Sequence, residues 1–293
     1  MISAARPHGP DSAAAAVDAH YGRPDLLDAI LQGLRASGCD PDAPAIEDLA
    51  PVDHFHTRGR DATLALGRLA KIASGHDVLD VGGGLGGAAR LLARMFDARV
   101  TVLDLTEAFC QVGAELTRRT GLAERVTFRQ GTALDLPFPD ERFDVAWTQH
   151  SSMNVDDKER LYAEIHRVLR AGGRLAIHEV MAGPAGGPLH LPVPWAAEAG
   201  LSFLRQPEAI QRLLADLGFE PETWIDTTAV SIDAFRERVA AARAASELPP
   251  LGLHLILGPG VGRMLENVLL NLEENRIVLV KAVLERPGGR LTR

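Results

Sequence analysis

The sequence predicts an α/β fold: a mostly parallel sheet with helices on both faces. Three observations point there. From residue 78 onward, short apolar runs alternate with amphipathic stretches over short links, the pattern of parallel strands joined by crossover helices. Five glycines (Gly82, Gly83, Gly84, Gly86 and Gly87) crowd the first strand-to-helix junction. An acid, Asp104, ends the second strand, twenty residues past Gly84.

In chain order, residues 1–16 are rich in Ala, Pro, Gly and Ser and read as a disordered start. From Val17 to about Ser37, the residues Leu26, Leu27, Ile30, Leu31 and Leu34 give a helical apolar stripe, stopped by Gly38. Asp40 to Pro44 is a turn, and residues 45–60, with His54 and His56, read as irregular. A helix follows over 61–73. The start and a helical cap thus occupy 1–60, and 61–293 form the main domain.

The alternation then runs as strand 78–81, helix 86–96 with Leu91, Leu92 and Met95 facing inward, strand 99–104 and helix 106–119. Strands 125–130 and 143–148, helix 156–169 and strand 173–180 complete it. Residues 181–206 break the rhythm with a Pro- and Gly-rich stretch carrying His190 and Trp195; so long a connection is a candidate lid. Helix 207–217, strand 223–230, helix 232–246, a link holding His254, helix 261–274 and strand 276–284 finish the chain. No internal repeat is visible.

Composition narrows the function. Hydrophobic residues make up 46% of the 293, enough for a substantial core. Thirty-one basic against 39 acidic residues leave a net charge of −8, which argues against nucleic acid as the main partner. No apolar run approaches membrane-spanning length, and the start lacks a secretory pattern. Cys39 and Cys110 show no metal spacing, so a reduced, cytoplasmic setting is the simple expectation. A small-molecule substrate is expected, and a homodimer stays open.

A glycine turn between strand and helix exposes backbone N–H groups to a ligand, and an acid after the second strand suits a ribose. Two cofactors fit. Gly82-x-Gly84-x-x-Gly87 satisfies a dinucleotide fingerprint, which would make the chain a dinucleotide-dependent oxidoreductase. Asp80 favours S-adenosylmethionine instead: a carboxylate two residues before the first glycine repels a pyrophosphate but tolerates an ammonium or sulfonium.

Longer stretches decide between them. Asp80 to Gly86, Asp104, the run from Gly131 to Trp147 and Arg167 to Leu175 together resemble class I S-adenosylmethionine-dependent methyltransferases. The branch is the one with ubiquinone/menaquinone-, sarcosine/dimethylglycine- and natural-product-type enzymes. The resemblance covers about residues 50–285. It implies a Rossmann-like seven-stranded sheet, six strands parallel and one antiparallel. It places Asp80, Gly82 and Gly84 at the methionine end of the donor, Asp104 on the ribose, Leu105 beside the adenine, and Thr132 with Ala133 at its edge. Family members often carry Asp where Thr132 stands. It also puts His150 on the methyl-transfer channel.

Methyl transfer is an in-line displacement that needs alignment and exclusion of water, plus a base only if the acceptor must lose a proton. His150, Glu179 and His190 are the candidate catalytic groups. Since strand side chains alternate, only one of His178 and Glu179 faces the pocket, and Glu179 is favoured. Trp195, Gln149, Asn154, His178 and His254 are candidate acceptor contacts, and His56 a cover for the donor. No Asp/His spacing compels a metal. The expected activity is methyl transfer to an aromatic or largely apolar specialised metabolite, on carbon, nitrogen or oxygen. A small amine such as a glycine derivative is the alternative acceptor.

Overall fold

The first strand, β1 (Asp77–Val81), is buried at every position. Such a strand needs partners on both edges and cover on both faces. It pairs in parallel with β2 (Arg99–Asp104) and β4 (Phe143–Gln149). The computed structural model describes residues 25–288 except 55 and 246. Its one sheet has the order β3-β2-β1-β4-β5-β7-β6, with β3 at Val126–Gln130, β5 at Leu169–Ala182, β6 at Glu220–Asp226 and β7 at Ile277–Glu285. β7 runs antiparallel to both its neighbours, so six strands share one direction and one opposes them, as expected. The order reverses between β1 and β4, and at such a switch point the carboxyl ends of the strands open a crevice.

Helices cover both faces. On one, Leu161, Tyr162 and Ile165 of α6 (Lys158–Val168) and Ile210 and Leu214 of α7 (Pro207–Asp216) pack on β4, β5 and β7. Asp157 caps α6 by accepting the Arg160 N–H, and Pro207 starts α7 where a missing N–H costs nothing. On the other, Leu66 of α3 (Gly59–Leu69) and Ala89 and Leu92 of α4 (Gly87–Phe96) meet Val78, Val100 and Trp147. Leu91 is buried as expected, but Met95 is 47% exposed. Phe96 packs against this layer instead, so the inward stripe of α4 ends one residue later than expected.

The cap is continuous with this core. Leu26, Ile30 and Leu34 of α1 (Leu26–Ala36) are fully buried against Phe109, Val112 and Leu116 of α5 (Glu107–Arg119). Each such side chain contributes about 1.5–3 kcal/mol. Residues 17–24 of the expected first helix, and the start at 1–16, lie outside the described residues. Within the stretch expected to be irregular, Pro51 helps start a short helix, α2 (Ala50–Asp53).

Two elements differ near the end. The expected strand 223–230 stops at Asp226, whose Oδ1 accepts the Thr228 N–H, and α8 (Thr228–Ala244) begins. Thr227 Oγ1 donates to Leu279 O and Thr228 Oγ1 accepts the Leu279 N–H. These local bonds end the strand despite the β-branched run, and Val230 is left half-exposed on a helix. The link around His254 carries a helical turn, α9 (His254–Leu257), before α10 (Val261–Glu273).

Beyond the end of β5, residues 183–206 form a strap packed across α8, α10 and β7. Val193, Trp195, Ala196 and Leu201 join Phe235, Val239, Leu265 and Leu279 in one apolar cluster. Asn154 donates to Trp195 O and Leu201 O, Asn267 donates to Pro192 O, and Asn271 binds both backbone groups of His190.

Candidate active site

Two compartments meet at the carboxyl ends of β1, β2 and β4. The first is the glycine turn. Gly82, Gly84 and Gly86 have φ of +71°, +56° and +79°, left-handed values that favour glycine. Space is as tight as torsion: a Cβ at Gly82 would lie 2.5 Å from Ser151 Cβ, and one at Gly87 would lie 2.4 Å from Asp53 Cβ.

Two carboxylates flank the turn. Asp104 accepts the Gly84 N–H through Oδ2 at 2.8 Å and the Thr106 N–H through Oδ1 at 2.9 Å. Asp80 is 2% exposed, and its Oδ2 has no hydrogen-bond partner among the described residues. A Cβ at Gly83 would come within 2.6 Å of that oxygen. Burial, then the charge of Asp104, pushes the Asp80 carboxyl up to about 7. A buried carboxylate oxygen without a donor costs free energy, and a ligand cation beside the bare turn removes that cost. The site therefore fits a donor with an ammonium or sulfonium end.

The second compartment is a cluster of four imidazoles. His150 leaves β4 in the left-handed region (φ +53°), with its N–H on His178 O. The His150 and His178 rings are 4.9 Å apart between centroids; His56 is 6.1 Å from His150 and 6.2 Å from His178, and His54 lies 5.4 Å from His56. A hydrogen-bond chain links cap to sheet. His56 Nε2 lies 3.0 Å from both Gly59 O and Thr63 Oγ1. Thr63 Oγ1 donates to Gln149 Oε1 at 3.1 Å, and Gln149 Nε2 lies 3.2 Å from His178 Nδ1. Gly59 O can only accept and the Gln149 amide nitrogen can only donate. This assigns the protons of both His56 and His178 to Nε2.

All four rings are neutral. Burial, then the charge of Arg238, lowers His150 to about 3. Burial, then Arg90 and Arg60, lowers His54 to about 4. Burial holds His56 and His178 well below the ordinary imidazole value. The Nε2 atom of His150 is buried and has no partner among the described residues. No group of three His, Cys, Asp or Glu among them is placed to hold a metal ion.

Other expected site residues fall in different places. His178, not Glu179, turns toward the imidazoles. The Glu179 carboxylate accepts the N–H groups of Ser151 and Ser152 at 3.2–3.3 Å. With Lys158 Nζ bonding Ser152 O at 2.6 Å and also Val155 O, it fixes the loop that carries His150. Leu105 is half-buried beside Asp104, with Gln130 Nε2 on its carbonyl. Thr132 is exposed, its Oγ1 accepting the Leu134 N–H, and Ala133 is half-buried. Trp195 is 3% exposed within the strap cluster, its Nε1 donating to Ser202 Oγ. His190 binds Glu274 at 2.8 Å on the outer side, and half-buried His254 starts α9.

Residues 79–177 match the family described as Methyltransferase domain. Residues 79–177 therefore carry an S-adenosylmethionine-dependent methyltransferase domain. A curated relative, Methyltransferase GfsG from Streptomyces halstedii, is 34% identical over 157 residues, 54% of each chain. The glycine/sarcosine/dimethylglycine N-methyltransferase of Actinopolyspora halophila is 41% identical over 105 residues, 36% of this chain and 19% of that one. The chain thus spans about half the length of the first and about a fifth of the second. A geranyl diphosphate methyltransferase solved with SAM shares the fold at a TM-score of 0.63, with 22% identity over 78% of this chain and 85% of that one.

The sequence gives little sign of three groups near the imidazoles, all outside the matched residues 79–177. Arg238 gives no signal within an ordinary helix. Thr63 is an unremarked polar residue on a helix. Lys281 did leave a trace: it is the one charged residue in the run from Ile277 to Leu284.

Proposed function

We propose that this protein moves the methyl group of S-adenosylmethionine to a small-molecule acceptor held in the imidazole chamber. The observation that carries the reading is the Asp80 Oδ2, without a partner among the described residues, beside a glycine turn where Gly82, Gly83, Gly86 and Gly87 leave no room for a Cβ. When bound, the donor supplies a methyl group on a sulfonium, activated without help from the protein.

The chain's own residues bind, orient and exclude water. Asp80 takes the amino-acid end of the donor and Asp104 the ribose hydroxyls. Backbone at Gly82 and Gly84 lines the methionine end, Leu105 flanks the adenine, and Thr132 and Ala133 meet its edge. His150 stands between the compartments, because the next residue, Ser151, bonds Val81 O at the turn. Its free Nε2 is a hydrogen-bond acceptor for the nucleophile, and Gln149 and His178 hold the chamber wall. An imidazole lowered to about 3 is a weak base, so positioning carries the rate. Glu179 is a positioning residue through the Ser151–Ser152 loop. His56 covers the donor from the cap.

No described helix is long and apolar enough to cross a membrane. We place the reaction in the cytoplasm and in specialised metabolism, the simple setting for a reduced-cysteine chain of this type. The similarity to a glycine/sarcosine/dimethylglycine N-methyltransferase supports a glycine-type amine as the second acceptor class. The test is methyl-labelled donor incubated with amines, phenols and carboxylic acids. His150→Ala should cut turnover more than S-adenosylhomocysteine affinity. The reverse pattern would make His150 a donor-binding or structural residue.

A further inference from the structure

Beside the imidazoles stand two cations largely removed from water, Lys281 and Arg238, and a third, Arg58, that is exposed. Lys281 lies in the middle of β7, opposite His178 in register, and is only 5% exposed. Strand alternation puts it on the same side as Ile277 and Leu279, the side packed by α8, α10 and the strap. Arg238 sits on the inward stripe of α8. Ser231, Phe235 and Val239 are all buried, and Arg238 follows Ser231 by two helical turns, with its guanidinium 5.9 Å from the Phe235 ring centroid.

Neither cation has an anionic partner or a hydrogen bond among the described residues. Other buried basic groups do. Arg90 pairs with Asp53 at 2.5 Å, and Lys158 bonds two carbonyls. Lys281 is buried and Arg238 half-buried, and a cation largely removed from water without a partner is costly. Apart from the imidazoles themselves, the charged groups that act on His56, His150 and His178 are Arg238, Lys281 and Arg58, all positive. The nearby carboxylate, Glu179, is spent on backbone N–H groups on the other face of β5. Around His56, His150 and His178 there is thus positive charge and, among the described residues, no acid acting on the rings.

We propose that Arg238 and Lys281 form the anion-binding end of the acceptor chamber, so that the methyl acceptor carries a carboxylate or a phosphate. The inference rests on the methyltransferase reading for the word acceptor, but the anion site itself does not. A guanidinium presents a planar fork to two oxygens, and an ammonium adds a point charge. An oxyanion between them supplies the missing counter-charge. It also fixes the acceptor at one end, leaving its other end for His150 and the donor. A free ammonium without an anion is repelled, so an amine acceptor must bring an acid group with it.

The test uses the full chain saturated with S-adenosylhomocysteine and three probes of one shape: benzoate, phenyl phosphate and benzamide. Calorimetric titration should show one or both anions binding and benzamide not. The stronger anion tells carboxylate from phosphate. Arg238→Gln and Lys281→Met should each weaken anion binding roughly tenfold or more, with S-adenosylhomocysteine affinity unchanged. Arg238→Lys should retain part of the binding. Lys281→Met removes a buried unpaired charge, so it should unfold at a higher temperature than the native chain when no anion is present. Benzamide binding as tightly as benzoate, absence of binding by both anions, or native anion affinity in both variants would overturn the proposal. Repeating the titration without S-adenosylhomocysteine separates the two readings. Anion binding that survives while the donor analogue fails to bind would sink only the methyltransferase account.

Discussion

In the proposed donor cleft, Asp80 is the residue whose charge matters most. Its carboxyl, raised to about 7, is partly protonated near neutrality in the ligand-free chain, and a cationic ligand must bind the ionised form. Binding therefore releases a proton. S-adenosylhomocysteine affinity should rise with pH up to about 7 and flatten above it, with a limiting slope of about tenfold per pH unit. Asp80→Asn should bind more weakly and show no such slope; a native chain with pH-independent affinity would contradict the assignment. Asp104→Ala should cost about 1–3 kcal/mol of that affinity, the order for losing charged hydrogen bonds, as measured by the same titration. The histidines make a second prediction. Unfolded imidazoles take a proton near 6.5, whereas folded His150 refuses one until about 3 and His54 until about 4. Below 6.5 the unfolded chain binds more protons, so stability falls as pH falls, by up to about 1.4 kcal/mol per pH unit for each ring. Asp80, raised instead, pulls the other way in this window. The difference between His150→Gln and the native chain isolates the effect. Urea unfolding at several pH values should show a shallower acid loss in the variant, and equal slopes would contradict it.

At the scale of elements, the site depends on how the cap is held against the turn. Arg90 of α4 is fully buried, pairs with Asp53 of α2 and also bonds Leu85 O and Thr117 Oγ1. It ties cap, glycine turn and α5 together. Burial raises the Asp53 carboxyl and Arg90 opposes that shift, the balance expected of a desolvated pair. Removing one partner strands the other. Arg90→Met should lose about 3–5 kcal/mol in urea unfolding, and adding Asp53→Leu should recover part of it; a loss below about 1 kcal/mol would mean that the cap is held by its apolar face alone. The strap is the other defining element. Its apolar residues sit inside a core cluster and its backbone is bonded by Asn154, Asn267 and Asn271. The same Pro- and Gly-rich composition that reads as a lid in sequence is therefore a wall in the fold.

Over the whole molecule, the sheet was legible because its signals are local. Glycines mark the turn, apolar runs mark buried strands, and Asp104 marks the end of β2. The residues proposed for the donor side, Asp80, Gly82, Gly84 and Asp104, carry the same kind of local signal, since all lie at or just past the ends of early strands. The acceptor side was not legible. His56, Thr63, Gln149, His178, Arg238 and Lys281 come from five separate elements and a loop, and come together only after the chain closes. Alternation correctly said that His178 and Glu179 face opposite ways, but not which way is the chamber. That is set by the β5–β7 register, which pairs His178 with Lys281. Lone charges in apolar surroundings, such as Lys281 in β7, are the trace that such a site leaves in sequence. The central claim remains that the glycine turn takes a sulfonium donor. Calorimetric titration of the full chain at pH 7.5 with S-adenosylhomocysteine, and separately with NADH, tests it most directly. The account predicts saturable binding of the first, weakened in Asp80→Asn, and no heat from the second; binding of NADH with no response to S-adenosylhomocysteine would contradict it.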